Sequence, residues 1–238
     1  MNIENINIQE VYEDQVIGIW NKYDRLPVLN QVGFEYRKYP ILPLNVKKGG
    51  ILFIGINPSF SFKNSRLPDT KVSFYLHPSL NHPDIQYFKK FKEISNYCNG
   101  YEWCHLDLLF IRETNQNLIK ALMYDEQGIN FINAQLKISF EIINIIQPDI
   151  IVVSNALASE LFGKKKKEHK DKFDKIWLGY DLDFENVFDA VIGTYKISIG
   201  NKETPIIFSG MLSGQRALDI GSFERLKWQI RRILLMNK

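Results

Sequence analysis

The sequence predicts an α/β fold, a three-layer α/β/α sandwich around a central, mainly parallel, four-stranded sheet. Three observations predict it. Four short apolar runs are bounded by glycine, proline or polar residues, as strands buried on both faces should be. Stretches with apolar residues at helical spacing lie between those runs. The chain has 238 residues, which suits one large domain better than two, because typical domains hold roughly 100–200 residues.

Residues 1–48 read as an N-terminal helix and loop extension, and residues 49–238 as the core. Ile8, Val11, Tyr12, Val16, Ile19 and Trp20 recur at helical spacing, and Pro27, Pro40 and Pro43 then break the chain into loop. Gly49-Gly50 releases the first strand, Ile51–Gly55, which Asn57-Pro58-Ser59 ends. A loop rich in Ser, Pro and Asn follows to about Asn81, longer than most connections in compact domains. Asp84–Tyr97 reads as a helix with Gly100 just past its end, and His105–Phe110 as the second strand. A helix from about Gln127 to Ile146 stops before Pro148, and Asp149–Ser154 is the third strand. Ala156–Phe162 is a short helix ending at Gly163. Val187–Ile192 and Tyr195–Ile199 form a hairpin around Gly193, Pro205–Ser209 is the fourth core strand, and Phe223–Leu235 the closing helix.

Composition removes several classes of function. Lys plus Arg number 30 against 27 Asp plus Glu, so the chain does not coat nucleic acid by charge alone, and an acidic ligand must meet a local patch. Cys98 and Cys104 cannot supply four thiolates for an iron–sulfur cluster or an all-cysteine zinc site. His77, His82, His105 and Cys104 match no standard zinc spacing, so no metal and no cofactor are expected. Glu4, Glu10, Glu13 and Asp14 precede the first basic residue, Lys22, the reverse of a secretory leader. No apolar run approaches the ~20 residues of a membrane helix. A cytoplasmic monomer is the expectation.

In an open α/β sheet, ligands bind outside the carboxyl ends of the strands, which directs attention to Gly55–Ser59, to Asp107–Asn115 and to Ser209–Arg216. At the first of these, Gly55-Ile56-Asn57-Pro58 presents the Asn57 amide at a fixed height above the sheet, because Gly55 permits close approach and Pro58 fixes φ. An ordinary strand-to-loop turn would read the same way.

Gly55-Ile56-Asn57-Pro58-Ser59 resembles the first motif of the uracil-DNA glycosylase superfamily, in the branches that read Gly-(Ile/Leu/Met)-Asn-Pro followed by a small residue. Three further features fall in that superfamily's order between Gly49 and Leu235: a strand carrying a polar residue, the strand and helix of Pro148–Phe162, and a last strand that enters a loop before the final helix. The resemblance implies a glycosylase that hydrolyses the N-glycosidic bond of a flipped, damaged or deaminated base in DNA base-excision repair, with DNA as partner. It implies that Asn57 positions the water that attacks C1′, and that Gly55, Ile56, Pro58 and Ser59 line the base pocket. It also implies a ring that stacks on the base, from Phe60, Phe62 or Phe74.

Two departures accompany the resemblance. Asp107 stands where the superfamily has an Asn or similar residue reading the base edge, and a carboxylate offers only acceptors. Asp107 therefore suits a base with amino donors, a protonated carboxyl in an apolar pocket, or a structural cap. In the last motif Phe208 takes the place of a histidine, leaving Gln215, Arg216 or backbone N–H groups to stabilise an anion. Leu212, with Met211 beside it and Ser213 in register, is the expected wedge into the duplex. Lys164, Lys165, Lys166 and Lys167, with Lys170 and Lys172, fit a phosphate-contacting loop or a solvated turn, and Arg225, Lys227, Arg231 and Arg232 on the closing helix a backbone contact or a charged face. A nucleic-acid or nucleotide-binding module that has lost the chemistry, and an unrelated α/β enzyme acting on a small anion, are the alternatives.

Overall fold

The computed structural model describes residues 6–29, 42–43, 46–59, 86–163, 180 and 191–236. Its centre is a five-stranded mixed sheet of order β2-β1-β3-β5-β4, with β1 Ile51–Gly55, β2 Trp103–Asp107, β3 Ile150–Val153, β4 Tyr195–Ile199 and β5 Lys202–Phe208. The pairings β2–β1, β1–β3 and β3–β5 are parallel, and only β4 runs antiparallel, against β5. Every residue of β1, β2 and β3 is buried, which is why the sequence shows continuous apolar runs there rather than alternation.

Helices cover both faces of the sheet. On one face lie α1 (Ile8–Lys22), α3 (Gln116–Leu122), α4 (Glu126–Ile146) and α5 (Ala156–Phe162), whose apolar stripes share a core with Leu52, Ile54, Leu106, Ile151, Val153 and Ile206. On the other lie α2 (Gln86–Tyr97) and α6 (Ile220–Met236), packed on Ile51, Phe53, Trp103, Ile150, Val152 and Ile207. The strand residues divide between the two cores by simple alternation, as the pleat requires. The N-terminal extension is tied into the first core: Ile8, Tyr12, Val16 and Trp20 form one buried stripe, Trp20 meets Phe131 edge-on at 5.0 Å, and Ile6 pairs with Val46.

Three expectations are corrected. The sheet has five strands rather than four, because Tyr195–Ile199 joins it at the edge, with only alternate side chains buried. Its hairpin partner is β5, through a turn at Gly200-Asn201 where Gly200 has φ +58°, not a segment across Gly193. The expected strand Val187–Ile192 lies largely outside the described residues, and residues 191–193 form a turn. The second strand is Trp103–Asp107 rather than His105–Phe110. Leu108, Leu109, Phe110 and Ile111 are fully buried yet not in the ladder. Two side chains of α4 bond this buried loop: Ser139 Oγ donates to Leu108 O at 2.7 Å, and Gln135 Oε1 accepts from Phe110 N at 2.7 Å. An apolar run signals burial; Leu108 N and Leu109 N still donate to Gly55 O and Ile56 O, and the helix side chains bond the groups that point away from β1.

Candidate functional site

The order β2-β1-β3 means that the chain leaves β1 to one side and returns on the other, so the carboxyl ends of β1 and β3 flank the topological switch point, where open α/β sheets place their ligands. Gly55, Asn57 and Asp107 converge on this edge. Asp107 is paired with Gly55 across the β1–β2 ladder. Its carboxylate folds over the glycine so closely that a Cβ on Gly55 would land on Asp107 Oδ1 and lie 3.0 Å from His105 Nε2. Only glycine fits, and the reason is this close approach.

Behind Asp107 is a chain of polar groups on the α2–α6 face. His105, two residues earlier on β2 and so on the same face, places Nε2 3.7 Å from Asp107 Oδ1 and 3.2 Å from the Tyr87 hydroxyl. Its ring stacks on Phe91 with centroids 5.4 Å apart. Burial lowers the His105 imidazole to about 3, so it is neutral at physiological pH. The Tyr87 phenol is pushed up, first by burial and then by the charge of Asp107, against a hydrogen bond with Ser154 that works the other way. Ser154 ends β3 and bonds Ile54 O through its N–H, so one polar cluster spans the ends of three strands. The sequence marks His105 as a strand residue and a zinc candidate, and gives Tyr87 and Ser154 no functional role. The two-residue spacing of His105 and Asp107 on one strand was the available signal.

Asn57 leaves β1 with its amide already engaged. Nδ2 donates toward Pro58 O at 3.1 Å, Ile111 O at 3.0 Å and Glu113 O at 2.6 Å. Glu113 N in turn donates to Pro58 O at 2.8 Å, and Glu113 Oε1 accepts from Asn115 N, the cap residue of α3. Asn57 therefore clamps the β1 and β2 loops together. With Nδ2 committed to these carbonyls, Oδ1 is the acceptor of the amide. Ile56 and Pro58 are buried and Ser59 is exposed.

The third segment departs from expectation. Leu212 is 2% exposed and packs in the α2–α6 core, so it is not an exposed wedge: a side chain already buried cannot fill a gap in a duplex while the loop keeps this conformation. Met211 and Ser213 are half-buried, and Gln215 and Arg216 are exposed on a loop closed by Leu218 N donating to Met211 O at 2.8 Å. Phe208 points to the opposite core, against Phe162 and Tyr195. On α6, Lys227 is drawn into the interface with α2 by Glu93 and Glu224 at 3.2 and 2.7 Å, which removes it from any charged outer face, while Arg225 and Arg232 stay exposed. Phe60, Phe62, Phe74, Lys164, Lys165, Lys166, His77 and His82 lie outside the described residues. Among the described residues no group of three or more His, Cys, Asp or Glu is placed to hold a metal ion, and no helix is long and apolar enough to cross a membrane. Cys98 and Cys104 are free and buried, with burial pushing their thiols up to about 11 and about 12.

No family model matches the chain, and comparison with curated proteins and with solved structures returned no match.

Proposed function

We propose that the chain is a DNA glycosylase of the uracil-DNA glycosylase superfamily, which hydrolyses the N-glycosidic bond of a damaged or deaminated base flipped out of DNA. The observation that carries the reading is Asn57, an amide at the switch point whose Nδ2 is spent on backbone carbonyls; in this reading its Oδ1 holds the water. An amide is a poor base, which suits a dissociative path in which the sugar cation forms first and the water needs only to be positioned. In this reading the flipped base lies toward Gly55 and Asp107, and the water on Asn57 adds to C1′.

The test is an oligonucleotide panel carrying uracil, hypoxanthine, xanthine and alkylated bases, in single and double strands, with abasic product as readout. Release of one of these, lost in Asn57→Ala, is the expected outcome. No release from any substrate, or a release rate unchanged in Asn57→Ala, defeats the proposal. The buried Leu212 and the inward-turned Phe208 favour a second reading, a module of similar build that binds nucleic acid without cleaving it. Salt-dependent DNA binding with no base released would select it.

A further inference from the structure

We infer that the outer surface of α2 and α6 is an interface for single-stranded nucleic acid, with arginines and lysines on the phosphates and Trp228 stacked on a base. The inference goes beyond the glycosylase reading and does not need a base to be cleaved.

The first observation is an uneven distribution of charge between the two helical layers. α2 carries Lys89, Lys90 and Lys92 against Glu93. α6 carries Arg225, Lys227, Arg231 and Arg232 against Glu224, so the layer has seven basic residues against two acidic ones, a balance of +5. On the opposite layer, α1 carries Glu10, Glu13 and Asp14 against Lys22, and α4 carries Glu126 and Glu141 against Lys137. With Lys120 on α3 and Glu160 on α5, the helices there have three basic residues against six acidic ones, a balance of −3. A chain whose net charge is only +3 therefore separates its charges strongly, and a polyanion is drawn to one layer.

The second observation is where these charges lie. Lys90 over the Phe223 ring at 4.3 Å, Lys227 with Glu93 at 3.2 Å and Arg231 over the Tyr97 ring at 5.4 Å advance in step along both helices. α2 and α6 are thus parallel and side by side. Both acids of the layer are ion-paired within it, Glu93 with Lys90 and Lys227, and Glu224 with Lys227. Lys89, Lys92, Arg225, Arg231 and Arg232 are all exposed, which puts the net positive charge at the surface.

The third observation is Trp228, which is 46% exposed. It follows Arg225 by three residues and precedes Arg232 by four, so the three share one stripe of the helix. That stripe runs about 10 Å from one arginine to the other, at roughly 1.5 Å per residue. An indole between two guanidinium groups offers a base a stacking face and the neighbouring phosphates charged donors, the combination that holds single strands without reading their sequence. A duplex keeps its base faces inside its own stack. A membrane surface fits less well, because an interfacial helix lays its apolar face into the lipid. The apolar face of α6, with Phe223, Leu226, Ile230, Ile233 and Leu234, is buried in the core.

The experiment measures binding of the full chain to a fluorescein-labelled thymidine oligonucleotide of about 15 nucleotides, alone or paired with its complement, from about 50 to 200 mM salt. Vesicles of phosphatidylserine and phosphatidylcholine are the third probe. The single strand is expected to bind most tightly, with affinity falling as salt rises. Replacing both arginines, Arg225→Ala with Arg232→Ala, should lower the slope of log K against log salt by about 1.4, at roughly 0.7 per cation. Trp228→Ala should weaken single-strand binding about 10-fold, Trp228→Phe should retain most of it, and Lys137→Ala on the acidic layer should change nothing. Thermal melts accompany every variant, and if Trp228→Ala does not fold, the Phe variant and the arginine pair decide. No binding, a preference for the duplex or for vesicles, or single-strand binding that the arginine and Trp228 variants leave unchanged overturns the inference. Base release from the lesion panel is a separate result. Release that persists while these variants do not alter binding removes the interface and keeps the glycosylase reading. Binding as expected with no release keeps the interface and removes the glycosylase reading.

Discussion

Two aspartates mark opposite ends of the same sheet and do different things. Asp149, at the amino end of β3, receives the Lys202 ammonium at 2.6 Å, the Gly50 N–H at 2.8 Å and the Tyr101 hydroxyl at 2.9 Å. Burial works against its charge, but these donors outweigh it and hold the carboxyl below its ordinary value. Asp107, at the carboxyl end of β2, lies against Gly55 and near the neutral imidazole of His105. The first carboxylate is met by donors from three segments and serves as a fastening. The second faces the edge where a parallel sheet binds its ligands. Residue type is the same at both ends, and it is position on the sheet that sets the two apart.

The comparison can be broken at several points. Gly55→Ala is expected to have the largest effect, because its Cβ collides with Asp107: base release should fall at least about 100-fold, as misplacement of a reacting group can cause, with stability down roughly 1–3 kcal/mol from overpacking. Enzyme kinetics and denaturant melts read the two together. Unchanged kinetics in a folded variant would remove Asp107 from the site. Leu212→Ala should cost about 2–5 kcal/mol, the range for a buried leucine, and a variant as stable as the parent would restore Leu212 as a free surface residue. Asp149→Ala should lose about 1 kcal/mol by leaving part-buried donors to water, and it should leave base release unchanged once folded. A loss of activity there would erase the distinction between the two edges.

The smallest effects are those of pH. His105 has a folded value near 3, below its ordinary 6.5, so the unfolded chain takes up a proton that the folded chain refuses. Its contribution to stability is therefore whole above about 6.5 and declines as pH falls toward 3, by a slope of up to one proton. Asp149 adds a second decline at lower pH: its folded value lies below 3.8, so its stabilisation is present above that ordinary value and is lost as pH falls through the folded one. Denaturant midpoints across pH 3–7 should show the upper part of the slope vanish in His105→Gln and the lower part in Asp149→Asn.

Much of the fold was legible in the sequence because burial on both faces leaves a strong trace. Ile51–Gly55, Ile150–Val153 and the helix Ala156–Phe162 fall where the apolar runs and their glycine and proline borders put them. The closing helix begins earlier than expected, at Ile220, because Ile220, Gly221 and Ser222 are exposed and the buried stripe starts only at Phe223. β4 was hard to read as a sheet member because an edge strand needs only alternate side chains inside. The residues after Asp107 were misread for the opposite reason. Leu108–Ile111 are as apolar as any strand, and bonds from distant segments, to Gly55 O and Ile56 O and from the side chains of Asn57, Gln135 and Ser139, let them be a loop.

At the site, the glycine, the amide and the carboxylate were each visible as residue types at strand ends, since their chemistry is local. Their relations were not. The sequence by itself determined that buried strands alternate with helices, that Gly55-Ile56-Asn57-Pro58 closes the first strand, and that a carboxyl side chain occupies position 107. Only the tertiary structure decided that Asn57 spends its donors on Ile111 and Glu113, that Asp107 folds over Gly55 beside a neutral His105, and that Leu212 belongs to the core. Local chemistry is written in single residues, whereas burial and hydrogen-bond partners depend on which distant segments the packing brings within about 3 Å.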